Sequence, residues 1–318
     1  MSPLVSVVVI SYQTAGLTVG CLASLRSTCR ATPYELIVVD NASTDGSAEA
    51  VAAAAPEARL LRLPRNVGFG RAANAGAALA RGRWLLLVNP DTSARTDLVT
   101  AFVEAATREP DACLYTGRTL RPDGTDDGHS CLAPPTLWSL FCFAAGLSTA
   151  FRRSALLNPE HLPRLDRSRP ARVPAASGCL LMVERRLFQQ LDGFAPDYFM
   201  YSEDVDLCVR AAGLGARPLL VPQARATHLG GASSTSVSKR VMVLRGKCTF
   251  LRSRWSPRRA AAGRALLAAG VAVRATGARL TGRAGYWPEV WAQRASWLAG
   301  WPSGYQPPAP DPVRAGQA

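Results

Sequence analysis

The first 120 residues alternate apolar, β-branched runs with small-residue helical stretches, and this alternation constrains the fold more than any other feature. "LVSVVVIS" at 4–11 is apolar almost throughout, as expected of a strand covered on both faces. "YELIVVD" (34–40), "ARLLRLP" (58–64), "RWLLLV" (83–88) and "DACLYTG" (111–117) repeat the signal. Between them lie helical stretches at 17–28, 46–55, 70–80 and 95–108. Such alternation with short connections predicts an α/β fold with a doubly wound, mostly parallel sheet. Ligands of such sheets bind beyond the carboxyl ends of the strands. The loops after Ser11, Asp40, Pro64 and Val88 are therefore expected to line one cleft.

Those loops read "SYQ", "DNASTDGS", "NVGFGRAANAG" and "NPDTS". Asp40 ends a strand, and Asn41 to Ser47 is rich in side chains that cap helices. Gly68 and Gly70 permit close backbone approach to a ligand, just before a helix N-terminus suited to phosphate. Asp91 reads either as a helix cap or as a ligand for Mg²⁺ or Mn²⁺, since hard cations take oxygen donors. "GFGRAA" (68–73) also matches the dinucleotide fingerprint. That fingerprint belongs after the first strand of its unit, and this copy follows the third.

The stretch "YFMYSEDVDLCVR" (198–210) sets Glu203, Asp204 and Asp206 within four positions beside groups that favour burial. Acids placed so need a counter-charge, a proton or a chemical role. Two neighbouring acids in an apolar pocket raise each other's pKa, which suits one of them to proton abstraction. A structural reading stands beside it: acids opening a helix favour its dipole, and Asp206 pairs with Arg210 at i, i+4.

Apolar residues at 48% and charged residues at 19% describe a folded globular chain. The net charge of +14 is uneven: from Ser238 onward, 14 Lys/Arg face only Glu289 and Asp311, and the remainder is nearly neutral. The basic stretch 238–302 reads as amphipathic helices for an anionic membrane surface, or as a solvated helical extension. It carries no nucleic-acid-binding motif, and nucleic acid is not an expected partner. Residues 303–318 are Pro-rich and expected to be disordered. Residues 130–151 carry no charge, and read as a buried core helix or as an apolar lip for membrane or a lipid-linked substrate. The basic stretch 164–174 reads as a mobile loop. Eight cysteines without compact spacing read as buried, reduced thiols of a cytosolic protein. The N-terminal apolar run is too short for a signal peptide and reads as the first strand.

Taken in order, "VSVVVISYQ", "VVDNASTDGS", "NVGFGRAANAG", "LLLVNPD", the stretch from "SGCLLMVERR" to "YSEDVDLCVR", and "HLGGAS" resemble the family-2 glycosyltransferases of GT-A fold. The resemblance covers about 4–235 and is strongest to the rhamnosyltransferase-like branch. It implies a domain at 1–237, with a nucleotide-binding half (1–120) and an acceptor and catalytic half (121–237). It also implies roles for particular residues. Asp40 would accept a hydrogen bond from a uracil or thymine ring, with Ser11 and Tyr12 flanking the base. Asn41, Gly68, Asn74 and Asn89 would complete the nucleotide-sugar site. Asn89 and Asp91 stand at the family's D-x-D metal motif, with one anionic ligand fewer. His228 would be a further ligand of a divalent cation, although a lone histidine also reads as structural. Asp204 would be the general base, and Glu203 would position acceptor or backbone.

The implied partners are a dTDP- or UDP-sugar, dTDP-rhamnose foremost, and a glycan or polyprenyl-diphosphate-linked acceptor. The implied location is cytoplasmic, peripheral on the inner face of the membrane. Two other classes compete. A nucleotidyltransferase that makes nucleotide sugars would want a basic, Gly-rich loop after the first strand, and "SYQTAGLTVG" has no basic residue. A non-catalytic adaptor leaves Asp40, Asp91, Asp204 and His228 unexplained.

Overall fold

The structure, a computed structural model, describes residues 3–229, 236–281 and 285–307. The alternation read from the sequence is present as β1 (Val5–Ser11), α1 (Ala15–Thr28), β2 (Tyr34–Asp40), α2 (Ser47–Ala54), β3 (Arg59–Arg62), α3 (Phe69–Ala78) and β4 (Trp84–Val88). A three-residue strand, β5 (Thr92–Ala94), precedes α4 (Leu98–Arg108) and β6 (Leu114–Leu120). The second half adds β7 (Cys131–Leu132), α5 (Leu137–Ala144), α6 (Leu147–Ala150), β8 (Ala171–Arg172) and β9 (Ala175–Ala176). It continues with β10 (Leu180–Glu184), α7 (Arg185–Gln190), α8 (Glu203–Ala212) and β11 (Leu219–His228). Four helices close the chain: α9 (Ser236–Arg254), α10 (Pro257–Leu280), α11 (Trp287–Ala292) and α12 (Arg294–Leu298).

The main sheet runs β3-β2-β1-β4-β10-β6-β11-β5. β3, β2, β1 and β4 are parallel, and β10 inserts antiparallel between β4 and β6. The sheet is thus mixed but mostly parallel. β5 pairs antiparallel with β11, a contact between segments over 130 residues apart that the local pattern does not announce.

The continuous apolar runs have a direct cause. Val5, Val7 and Val9 point to one face, against Leu22, Leu25 and Phe102 of α1 and α4. Val8 and Ile10 point to the other, against Ala72 and Ala73 of α3. Both faces are covered, so no position in β1 can be polar without a partner.

The apolar core continues across residue 237. Val241, Leu244, Leu251, Leu267, Val271, Trp297 and Trp301 join the same apolar core as α3, α8 and β1. The basic stretch 164–174 is pinned: Arg167 pairs with Asp126 at 3.6 Å and Arg172 with Glu109 at 2.9 Å. The uncharged segment is divided between its two readings. α5 buries Leu140 and Cys142 but leaves Leu137, Trp138 and Phe141 exposed. Tyr305 packs on Phe199 and Trp301, while 308–318, most of the stretch expected to be disordered, lies outside the described residues.

Candidate active site

The carboxyl ends of β1 and β2 bring Ser11 and Asp40 into register. Ser11 is held by a hydroxyl pair with Thr18 at 2.9 Å and by its carbonyl, which accepts from Asn41 N–H. Tyr12 follows it and is partly exposed. Asp40 is 4% exposed; its Oδ2 accepts from Ser43 N–H, and its Oδ1 is buried without a hydrogen-bond partner. A buried carboxylate oxygen left so is costly unless a ligand donates to it.

Three sequence candidates are occupied by protein partners. Asn41 donates to Asn66 Oδ1 and the Gly68 carbonyl and accepts from Val67 N–H, tying the 66–68 loop to β2. The close backbone approach at Gly68 is to Phe199: a Cβ would meet that carbonyl oxygen at 2.1 Å, and φ is +86°. Asn74 donates to the Phe194 carbonyl at 2.8 Å and accepts from its N–H at 2.9 Å. Gly68 and Asn74 fasten α3 and the loop before it to the segment leading into the acid cluster. Their spacing suggests ligand contact, but the near neighbour that requires it is protein backbone.

β5 pairing with β11 sets Thr92 opposite His228, which brings His228 Nε2 to 3.4 Å from Asp91 Oδ1. On the far side of the ring, Nδ1 lies 3.2 Å from Asp127 Oδ2. Asp127 is in turn fixed by Thr119 Oγ1 at 2.5 Å and His129 N–H at 2.8 Å. Burial opposes charge on His228, but the Asp127 and Asp91 carboxylates outweigh it and push the imidazole up to about 9. Among the described residues no cluster of three or more His, Cys, Asp or Glu encloses a metal. One carboxylate and one imidazole would fit a hard cation that displaces the imidazole proton and takes its other ligands from a substrate diphosphate, with Asp127 orienting the ring behind. Asn89 precedes this pair, its N–H donating to the Cys179 carbonyl at 3.0 Å.

The acid cluster follows a strained turn. Tyr201 and Ser202 have φ of +67° and +72°, a conformation that costs a non-glycine residue on the order of 1–3 kcal/mol. Neighbours enforce it: Gly246 of α9 packs so that a Cβ would lie 2.3 Å from the Tyr201 carbonyl oxygen, and Trp301 Nε1 donates to the Met200 carbonyl. Asp206, fully buried, accepts from Arg210 at 2.8 Å, Arg254 at 2.5 Å and Tyr198 at 3.1 Å, so its role is structural. Glu203 is 5% exposed, and its Oε2 has no hydrogen-bond partner. Burial, followed by the charge of Asp204, holds its carboxyl well above the ordinary range. Asp204 is more open, and burial also raises its pKa, against N–H donors from Gly178 at 3.0 Å and Val205 at 2.8 Å. The segment 177–179 is the link between the two centres: Gly178 N–H holds Asp204, and the next carbonyl, Cys179, holds Asn89.

The pattern of glycosyl transferase family 2 matches residues 6–192 of this chain. The chain belongs to that family. It is 30% identical over 252 residues to the N-acetylglucosaminyl-diphospho-decaprenol L-rhamnosyltransferase of Mycobacterium tuberculosis, covering 72% of this chain and 76% of the relative. It is also 30% identical over 94 residues to rhamnosyltransferase WbbL of Escherichia coli K12, covering 30% and 36% of the two chains. A solved mannosyltransferase from Pyrobaculum calidifontis, in complex with GDP-Man and Mn²⁺, superposes with a TM-score of 0.56 at 18% identity, covering 94% of this chain and 86% of that one. The protein is thus a glycosyltransferase of GT-A fold and rhamnosyltransferase-like kind.

Two positioning groups escape the sequence reading. Asp127 had a legible local signal, since "RPDGT" (121–125) is a turn sequence and returns the chain beside β6. Gly178 had none, because its N–H matters only once β10 lies beside β4. The last four residues of the "HLGGAS" motif, 230–233, lie outside the described residues.

Proposed function

We propose that this glycosyltransferase moves a sugar, rhamnose foremost, from a dTDP- or UDP-sugar to a hydroxyl of a lipid-linked or other cell-envelope glycan, with inversion at the anomeric carbon. The observation that carries the reading is the 177–179 segment, which bonds to Asp204 on one side and to Asn89, two residues from Asp91, on the other. Such an arrangement supports a proton acceptor facing a diphosphate site. Asp40 Oδ1 would accept from the base, with Ser11 and Tyr12 beside it. Asp91 and His228 would hold a divalent cation, Mg²⁺ or Mn²⁺, which when bound offsets the charge of the departing diphosphate. Asp204 would take the proton of the acceptor hydroxyl as its oxygen bonds to the anomeric carbon and the bond to the diphosphate breaks. Glu203, buried beside it, would position Asp204 or neighbouring backbone rather than take the acceptor proton. Support for a lipid-linked acceptor comes from the mycobacterial relative, and no helix among the described residues is long and apolar enough to cross a membrane. Peripheral association with an inner membrane face accords with both.

The test is a screen of dTDP-, UDP- and GDP-sugars for transfer to polyprenyl-diphosphate-linked sugars, with Asp204→Asn as the control. Asp204→Asn is expected to bind donor nearly as the parent does while transfer falls about 10²–10⁴-fold. Retained turnover would remove Asp204 as the base.

A further inference from the structure

The arginines of the basic C-terminal helices do not all serve solvent or lipid. Arg240 lies over Trp287, Arg245 over Trp301 and Arg274 over Phe143, and Arg254 is bonded to Asp206. These charges are spent inside the molecule. A different surface stays open.

α10 carries Ala262, Ala265, Leu266, Ala269 and Val273 at helical spacing along one stripe, headed by the exposed Arg258. Beside it α5 presents Leu137, Trp138 and Phe141, which are 39%, 45% and 45% exposed, and together the two helices line a shallow apolar groove. Trp138 and Phe141 stack on each other at 5.6 Å between centroids. Trp138 Nε1 donates to the Leu156 carbonyl at 2.7 Å, which anchors the 151–156 turn and its exposed Phe151 and Leu156 next to the groove. Arg152 and Arg153, both exposed, stand in that turn. Neither 130–158 nor 257–280 contains a single Asp or Glu. An apolar face with an indole at its edge, rimmed by arginine and free of acid, is complementary to a bilayer with anionic headgroups. A second copy of the same face would set arginine against arginine.

We propose that the α5–α10 face, with the 151–156 turn, is the surface on which this protein docks to anionic membrane, and that the remaining basic helices are internal supports. This deepens, and rests on, the reading of the acceptor as lipid-linked. The segment 128–136 leads directly from Asp127, beside the candidate cation ligands, to the first apolar residue of α5. Docking there would set the cleft and the headgroup layer at the two ends of one short connection.

The experiment is flotation of the full chain with vesicles of phosphatidylcholine, with and without phosphatidylglycerol, run beside transfer to a water-soluble, short-chain acceptor. The parent is expected to float only with the anionic vesicles, and less as salt rises. Trp138→Ser/Phe141→Ser should lower the partition on the order of tenfold or more. Arg152→Gln and Arg153→Gln, which disturb no packing, should each lower it about fivefold. Both sets should keep transfer to the soluble acceptor. Docking at this face is overturned if the parent never floats, or if the variants float equally. It is also overturned if light scattering finds a dimer that Trp138→Ser/Phe141→Ser dissociates. Absent transfer with every donor, beside intact flotation, would instead sink the catalytic proposal and leave the docking face standing.

Discussion

Glu203 is a carboxyl placed where it can neither ionise cheaply nor be satisfied when ionised. Its Oε2 is buried without a partner, and Asp204 and Asp206 stand beside it. Its pKa is raised in the folded chain above the ordinary 4.5, so ionisation is easier unfolded than folded. The sign follows: Glu203 costs no stability below the unfolded value, and the cost grows as pH rises from there toward the folded pKa. Glu203→Gln is therefore expected to raise Tm at pH 7.5 while leaving it nearly unchanged at pH 4. A gain that is equal at both values would show that ionisation is not the cause. Asp204 shares the direction of shift, from an ordinary 3.8. As base it must be ionised, so the acid limb of the pH–rate profile is expected above that ordinary 3.8, and a limb at or below it would contradict the burial of Asp204 as the cause of the shift.

At the scale of elements, the strands buried on both faces were legible in the sequence, because nothing but an apolar run can occupy them. β5 was not, since three residues become a strand only through pairing with β11. The antiparallel entry of β10 between β4 and β6 is likewise a long-range choice, and it is what delivers Gly178 to Asp204. Arg254 illustrates the same limit. In sequence it is one of many tail arginines; in the fold it reaches from α9 to the fully buried Asp206 of α8. Removing one partner of a buried pair typically costs about 3–5 kcal/mol, and Arg210 and Tyr198 remain here to moderate that. Arg254→Gln is expected to lose about 3 kcal/mol on denaturant unfolding, and Arg254→Gln/Asp206→Asn to recover part of it. Additive losses would mean that the two side chains do not support each other.

For the molecule as a whole, the charge asymmetry invites division into a catalytic body and a basic appendage, while the apolar core runs through both. Val241, Leu244, Leu251, Leu267, Trp297 and Trp301 are nearly inaccessible and share one core with α3, α8 and β1. Burying each contributes roughly 1.5–3 kcal/mol, so these six alone exceed about 9 kcal/mol. The net stability of a folded protein is only about 5–15 kcal/mol, and the strained turn at Tyr201–Ser202 adds a further demand that α9 and Trp301 meet. A chain ending at residue 235 is therefore expected to be unfolded or insoluble, not a soluble enzyme lacking only its membrane contact. The check is circular dichroism and thermal melting of the shortened chain. A cooperative melt close to that of the full-length protein would mean that the C-terminal helices are an appendage after all.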